Sequence, residues 1–169
     1  MEIGIVGGTG AEGRGLALRL ARAGARVRLG SRSIDRARAT VDELATAAAG
    51  LTIEPVDNAG AFAAADFVLL TVPFASAAET IAMHAAGIRA GAVAIDVTVP
   101  IRFEKGAPPR LVEVPEGSAA EHVRARLPPH VPLAVAFKTI PARLLGELDL
   151  PLDCDELVCG DSDEARQRA

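Results

Sequence analysis

Apolar runs of strand length alternate along the chain with stretches in which apolar residues recur every three or four positions. That alternation marks βαβ units around a parallel sheet. It predicts an α/β, Rossmann-type doubly wound fold with a mainly parallel sheet. Glu2–Val6 reads as the first strand. Arg14–Ala23 repeats at helical spacing, Leu16 over Leu20 and Ala17 over Ala21, and Gly24 stands where a helix C-terminus takes a left-handed residue. Arg26–Leu29 is a second strand. Ser33 can cap a second helix, in which Ala37, Val41, Leu44 and Ala48 share a face before Gly50. Further strands are expected at Leu51–Val56, Asp66–Val72, Ala92–Val97, Pro132–Phe137 and Glu156–Cys159, with a helix through Ala75–Ala86. Ser118-Ala119-Ala120-Glu121 is a capping box opening a short helix to Leu127. Arg102–Gly117, rich in Pro, Gly and charge, reads as a long loop.

Gly160-Asp161-Ser162-Asp163-Glu164 carries the cap and acidic first turn of one more helix, and the chain stops within two turns of it. The expectation is therefore a single dinucleotide-binding domain over residues 1–169, truncated at its C-terminus.

Composition narrows the partners. Half of the residues are hydrophobic, enough for a sizeable core and too many for a disordered chain. The net charge of -4 hides an asymmetry, since residues 1–50 carry eight Arg against five acids. A basic first third in an acidic protein points to a local anion site, not to a nucleic-acid surface. Five Phe are the only aromatic residues besides three His, which argues against stacking on bases. No apolar run reaches the roughly 20 residues of a membrane span. Met1-Glu2 leads directly into a strand rather than a signal peptide. No nucleic-acid or membrane partner is expected, and the location expected is cytoplasmic. Cys154 and Cys159 fit no zinc spacing and read as buried thiols in a reducing compartment; no metal site is expected. His84 reads as structural or solvated, and His122 and His130 as surface residues. No catalytic residue, whether nucleophile, acid or base, is assigned.

The chemistry lies in Gly8-Thr9-Gly10-Ala11-Glu12-Gly13, a G-x-G-x-x-G after a strand and before a helix. One glycine makes a tight turn, one lets backbone approach a pyrophosphate, and one packs helix on strand. The helix N-terminus presents unpaired N–H groups to the phosphates. An NAD site places Asp or Glu near the end of the second strand; here Gly30-Ser31-Arg32-Ser33 stands there, with Arg36 one turn on. Hydroxyl and guanidinium groups suit a 2′-phosphate. Two hydrogen bonds to a charged group contribute roughly 3–6 kcal/mol, or about a hundredfold to ten-thousandfold preference for NADP over NAD. Thr71-Val72-Pro73-Phe74, Val97-Thr98-Val99-Pro100 and Phe137-Lys138-Thr139-Ile140-Pro141 project from strand carboxyl ends, where ligands of open α/β sheets sit. Their apolar members can pack a nicotinamide ring, while Thr139 and Lys138 can orient or charge-match a second ligand.

These residues resemble the NADPH:coenzyme F420 oxidoreductase family. The likeness is carried by Gly-Gly-Thr-Gly, Gly-Leu-Ala-Leu-Arg-Leu-Ala and Gly-Ser-Arg within Met1–Ser33. It continues through Leu70-Thr71-Val72-Pro73, Gly117-Ser118-Ala119-Ala120-Glu121, Ala136-Phe137-Lys138-Thr139-Ile140-Pro141 and Val158-Cys159-Gly160-Asp161. The resemblance implies hydride exchange between C4 of NADP(H) and C5 of the deazaflavin of coenzyme F420, as co-substrate, in a homodimer. By it Thr9, Ser31, Arg32 and Arg36 would hold the 2′-phosphate, and Val72, Pro73, Thr139 and Ile140 would line the contact of the two rings. Arg102, Lys105 and Arg110 on the long loop would face either the acidic tail of a deazaflavin or water. Other readings are an NADP-dependent reductase of a flavin or an imine, and a non-catalytic NADP-binding module.

Overall fold

The computed structural model describes residues 1–64, 66–104 and 106–169; Lys105, one of the three loop cations, lies outside the described residues. The first five strands are β1 (Glu2–Val6), β2 (Arg26–Ser31), β3 (Ile53–Asp57), β4 (Phe67–Leu70) and β5 (Val93–Asp96). The short pair β6 (Ile101–Arg102) and β7 (Arg110–Leu111) precedes β8 (Leu133–Val135) and β9 (Cys159–Gly160). The helices are α1 (Ala11–Arg22), α2 (Ile34–Ala47), α3 (Asn58–Phe62), α4 (Phe74–His84), α5 (Ala119–Arg124), α6 (Ala142–Gly146) and α7 (Asp163–Arg168). Seven strands form one sheet in the order β3-β2-β1-β4-β5-β8-β9, all neighbours parallel except the last pair. The reversal of direction about β1 is the doubly wound arrangement that the alternating pattern predicts.

Strand alternation sends side chains to two cores. Ile3, Ile5, Val27, Leu29, Leu69 and Ile95 face the α1, α2 and α6 side with Leu16, Leu44 and Leu145. Val6, Val68, Leu70 and Leu133 face the α3, α4 and α5 side with Phe62, Ile81 and Val123. Arg19 ties α1 to α6, its guanidinium donating to the carbonyls of Leu144, Leu145, Glu147 and Leu150. The expected caps form: Ser33 Oγ accepts from Arg36 N–H, Ser118 from Glu121 and Ser162 from Ala165. In the final helix Ala165 is fully buried.

Five expectations change. The strand expected over Glu156–Cys159 forms only at Cys159–Gly160, leaving Glu156 before it. The long loop holds a two-strand hairpin, β6 on β7, with Arg102 directly opposite Arg110. α3 and α6 carry too few residues to show a helical period. The cysteines are exposed, Cys159 on the two-residue strand β9 at the sheet edge and Cys154 in the segment before it. His122 is not a surface residue: its Nδ1 lies 3.0 Å from Glu116 Oε2 and its ring packs on Phe74 at 4.8 Å. Glu116 sits well below the usual carboxylate range, at about 2, first through its hydrogen bond to His122 and then through Arg126. No described helix is long and apolar enough to cross a membrane.

Candidate functional site

A cleft of about 800 Å³ runs along the carboxyl ends of the parallel strands. That volume lies in the usual range of ligand sites, roughly 300–1,000 Å³. At the β1 end Gly7 adopts φ 74°, a left-handed turn that a side chain would strain. Its N–H donates to Asn58 Oδ1 at 3.2 Å, and Gly8 N–H donates to the Gly30 carbonyl at 2.8 Å, fixing the turn between β1 and β2. Gly13 packs helix on strand, since a Cβ there would lie 2.5 Å from Gly8 Cα. A Cβ on Gly10 would meet only the Gly7 carbonyl, at 3.9 Å, so the backbone there stays open to a ligand. Gly10 caps α1 without a side-chain hydrogen bond. The first N–H groups of a twelve-residue helix thus remain available beside an open glycine, the arrangement that receives a pyrophosphate.

At the β2 end Ser31 is buried on the strand and Arg32 and Arg36 are exposed on the cleft rim. Among the described residues neither guanidinium meets a carboxylate, whereas Arg14 and Arg38 pair with Glu43 and Asp35. Beyond the glycine turn come Thr71, Val72 and Pro73 at the end of β4. Thr71 Oγ1 donates to the Val6 carbonyl at 2.9 Å, so this hydroxyl braces β4 on β1 and is not a free donor. The far end of the cleft is formed by Val97–Val99 after β5, the hairpin residues Ile101–Phe103 and Val112, and Phe137, Lys138 and Ile140 after β8.

Of the expected site residues, Thr9, Gly10, Ala11, Glu12, Ser31, Arg32, Arg36, Thr71, Val72, Pro73 and Ile140 line one cleft. Gly8 and Gly13 lie behind it as packing. Thr139 is exposed and turned from the cleft, its Oγ1 donating to Glu156 Oε2 at 2.8 Å. Glu156 Oε1 also accepts from Phe137 N–H at 2.5 Å, and Phe137 stands at φ 62°, an uncommon conformation for a bulky residue. Glu12 Oε1 is enclosed with no hydrogen-bond partner among the described residues. Burial, and then the Glu156 carboxylate, push the Glu12 carboxyl up to about 7. Asp96 and Lys138 join at the cleft floor, Nζ to Oδ2 at 2.6 Å. Sequence reasoning missed Gly7, Asn58, Asp96 and Glu156. Gly7 stood in the Gly-Gly-Thr-Gly run, and Asn58 follows a local signal, the cap Asp57, whose side chain accepts from Gly60 N–H.

Residues 2–100 match the family model described as NADP oxidoreductase coenzyme F420-dependent. A protein named F420-dependent NADP reductase from Methanothermobacter thermautotrophicus is 39% identical over 173 residues, covering 100% of this chain and 74% of its own length. One of the same name from Methanocaldococcus jannaschii is 34% identical, covering 99% of this chain and 76% of its own length. Among solved structures, one provisionally assigned as an F420-dependent NADP reductase, from Arthrobacter sp. FB24, superposes with a TM-score of 0.80 at 24% identity, covering 98% of this chain and 76% of its own. Glycerol-3-phosphate dehydrogenase from Coxiella burnetii superposes with a TM-score of 0.68 at 24% identity, covering 96% of this chain and 47% of its own. At these identities the two structures speak to the fold.

Proposed function

We propose that this chain, which belongs to the family of coenzyme F420-dependent NADP oxidoreductases, carries hydride between NADP(H) and coenzyme F420. The observation that supports it most is one continuous cleft that runs from two arginines without a carboxylate partner among the described residues, past an open glycine and an uncapped helix start, to an apolar end over β4 and β5. A dinucleotide has this sequence of chemistries: an anionic 2′-phosphate, a pyrophosphate, then a flat ring. Arg32 and Arg36, with Ser31 and Thr9 beside them, would hold the 2′-phosphate, and the absence of an acid at the end of β2 removes repulsion against it. Val72, Pro73 and Ile140 would pack the nicotinamide and set its plane.

When bound, the two ring systems supply the redox chemistry itself, hydride exchange between C4 of the nicotinamide and C5 of the deazaflavin. The protein orients two planar partners and keeps water from between them. Orientation of this kind is worth roughly 7–11 kcal/mol of barrier, which suits a site with no acid–base dyad. Thr139 acts at one remove, locking the turn after β8 through Glu156. Arg102 and Arg110 stand opposite each other on the hairpin, where like charges disfavour the pairing, and Glu104 Oε1 lies 4.0 Å from the Arg102 guanidinium. An anionic tail lying across them would relieve that. We take residues 1–169 as one NADP-binding domain that works in the cytoplasm as a homodimer on small molecules, with no nucleic-acid partner; the residual charge of -4 supports the last point.

The test is the loss of oxidised deazaflavin absorbance on mixing this chain with NADPH, run beside NADH. Fast bleaching with NADPH and slow bleaching with NADH is the expected result. Intact NADPH binding without bleaching would overturn the acceptor and leave an NADP-dependent reductase of another substrate.

A further inference from the structure

Asp96 closes β5 with its carboxylate fully buried, and a carboxylate in that position needs compensation from every side. Its Oδ1 accepts from Thr98 N–H at 2.9 Å and from Thr98 Oγ1 at 2.7 Å. Its Oδ2 accepts from Lys138 Nζ at 2.6 Å, and the same Nζ donates to the Thr98 carbonyl at 2.6 Å. An ammonium carries three donors and no acceptor. Two are bound inward, so tetrahedral geometry turns the third away from both. Lys138 keeps 22% of its side chain exposed, and it lines the cleft. The pair is therefore a fixed dipole, with its negative end sealed in the sheet and its positive end toward the ligand space.

Where that end lies follows from the sheet order. The glycine turn belongs to β1 and the nicotinamide walls Val72 and Pro73 follow β4, while Lys138 follows β8, two strands further on. Its side chain reaches back to Asp96 at the end of β5, the strand next to β4, so at 4.7–4.9 Å per strand the ammonium stands about 5 Å past Val72 and Pro73. That is the margin where the nicotinamide site, walled also by Ile140, meets the space left for the hydride acceptor.

We infer that Lys138, held by Asp96 and Thr98, sets its third N–H against the pyrimidine edge of the deazaflavin, where charge collects as hydride arrives. This rests on the F420 reading above. In the reaction the C4–H bond of the dihydronicotinamide breaks and a C5–H bond forms on the deazaflavin; NADPH is oxidised, the deazaflavin is reduced, and the displaced electron pair moves by conjugation to N1 and the C2 carbonyl, which take a proton from solvent. A cation already fixed by Asp96 stabilises that charge without reorganising, and a water-poor cleft strengthens the effect. Arg102 and Phe103 on the hairpin wall the same end of the cleft from the solvent side.

The experiment compares wild type with Lys138→Met and Lys138→Arg in three readings: NADPH affinity, affinity for oxidised and for reduced deazaflavin, and single-turnover hydride transfer. In Lys138→Met, NADPH affinity should stay within about twofold and hydride transfer should fall about 10- to 100-fold. The preference for reduced over oxidised deazaflavin should fall about tenfold, and Lys138→Arg should recover most of both losses. Removing the lysine alone strands a buried carboxylate. If that variant fails to fold, Asp96→Asn with Lys138→Met removes both charges and carries the same comparison. A folded variant with wild-type redox preference and wild-type hydride transfer would overturn the inference and make the pair a structural tie between β5 and β8. Wild type that does not bind deazaflavin at all would overturn the F420 reading itself.

Discussion

Replacing Glu12 by glutamine should stabilise the protein above neutral pH and leave it unchanged in acid. The carboxyl is pushed from the usual 4.5 up to about 7, by burial first and by the Glu156 carboxylate second. The start of α1 favours a negative charge by roughly 0.3–1 kcal/mol, and loss of hydration outweighs that. A carboxyl raised in this way contributes fully below its unfolded value near 4.5, and the contribution is lost as pH rises through about 7. At about 1.36 kcal/mol per pH unit the whole displacement is worth at most roughly 3.4 kcal/mol. Glu12 is only half-buried, and solvent screening brings this to roughly 1–2 kcal/mol. For a domain of this size 1 kcal/mol moves Tm by about 2–4 °C. The variant should then melt about 2–8 °C above wild type at about pH 8.5, with the two converging between about pH 4 and 5. Thermal melts at five pH values give the comparison directly. NADPH affinity should follow the same curve, because an ionised Glu12 beside the helix start repels a pyrophosphate. Parallel melting profiles, or a variant less stable at high pH, would refute the reasoning.

Two further substitutions probe the nucleotide end and the support behind it. Arg32→Ala should weaken NADPH by about 10- to 150-fold, the value of one hydrogen bond to a charged group, and change NADH by less than about twofold; fluorescence titration of both cofactors checks this, and equal losses would remove the arginine from the 2′-phosphate. Arg19→Met should cost about 2–3 kcal/mol by releasing carbonyls of α6 and the turn after it, read as a Tm lower by about 4–12 °C, while NADPH affinity in the folded variant stays unchanged.

The backbone of the cleft end proposed for the dinucleotide was legible in the sequence; at the end proposed for the acceptor the residues Lys138 and Thr139 were named but their partners were not, for a reason rooted in geometry. Gly8 to Gly13 work through local backbone: each position is filled by its lack of a side chain and by its distance from the next along one turn. Ser31, Arg32 and Arg36 likewise follow one strand end and one helix start. Local order suffices to read such a motif, and α1 and β2 form close to where periodicity puts them. The acceptor end depends on pairs far apart in the chain. Asp96 looks like any residue closing an apolar strand until β8 pairs with β5 and brings Lys138 onto it, 42 positions away. Thr139 reads as a ligand contact from its place after a strand; only Glu156, arriving from the β9 side, shows that its hydroxyl is occupied in holding the turn. Phe137 carries no sequence sign of a left-handed backbone, because Glu156 holds it there from 19 residues away. The arrangement proposed to set the dinucleotide is thus written within single βα units, while the one proposed to meet the hydride acceptor exists only once the sheet has closed its register. It follows that NADP binding should tolerate changes in β8 and β9 that abolish acceptor reduction.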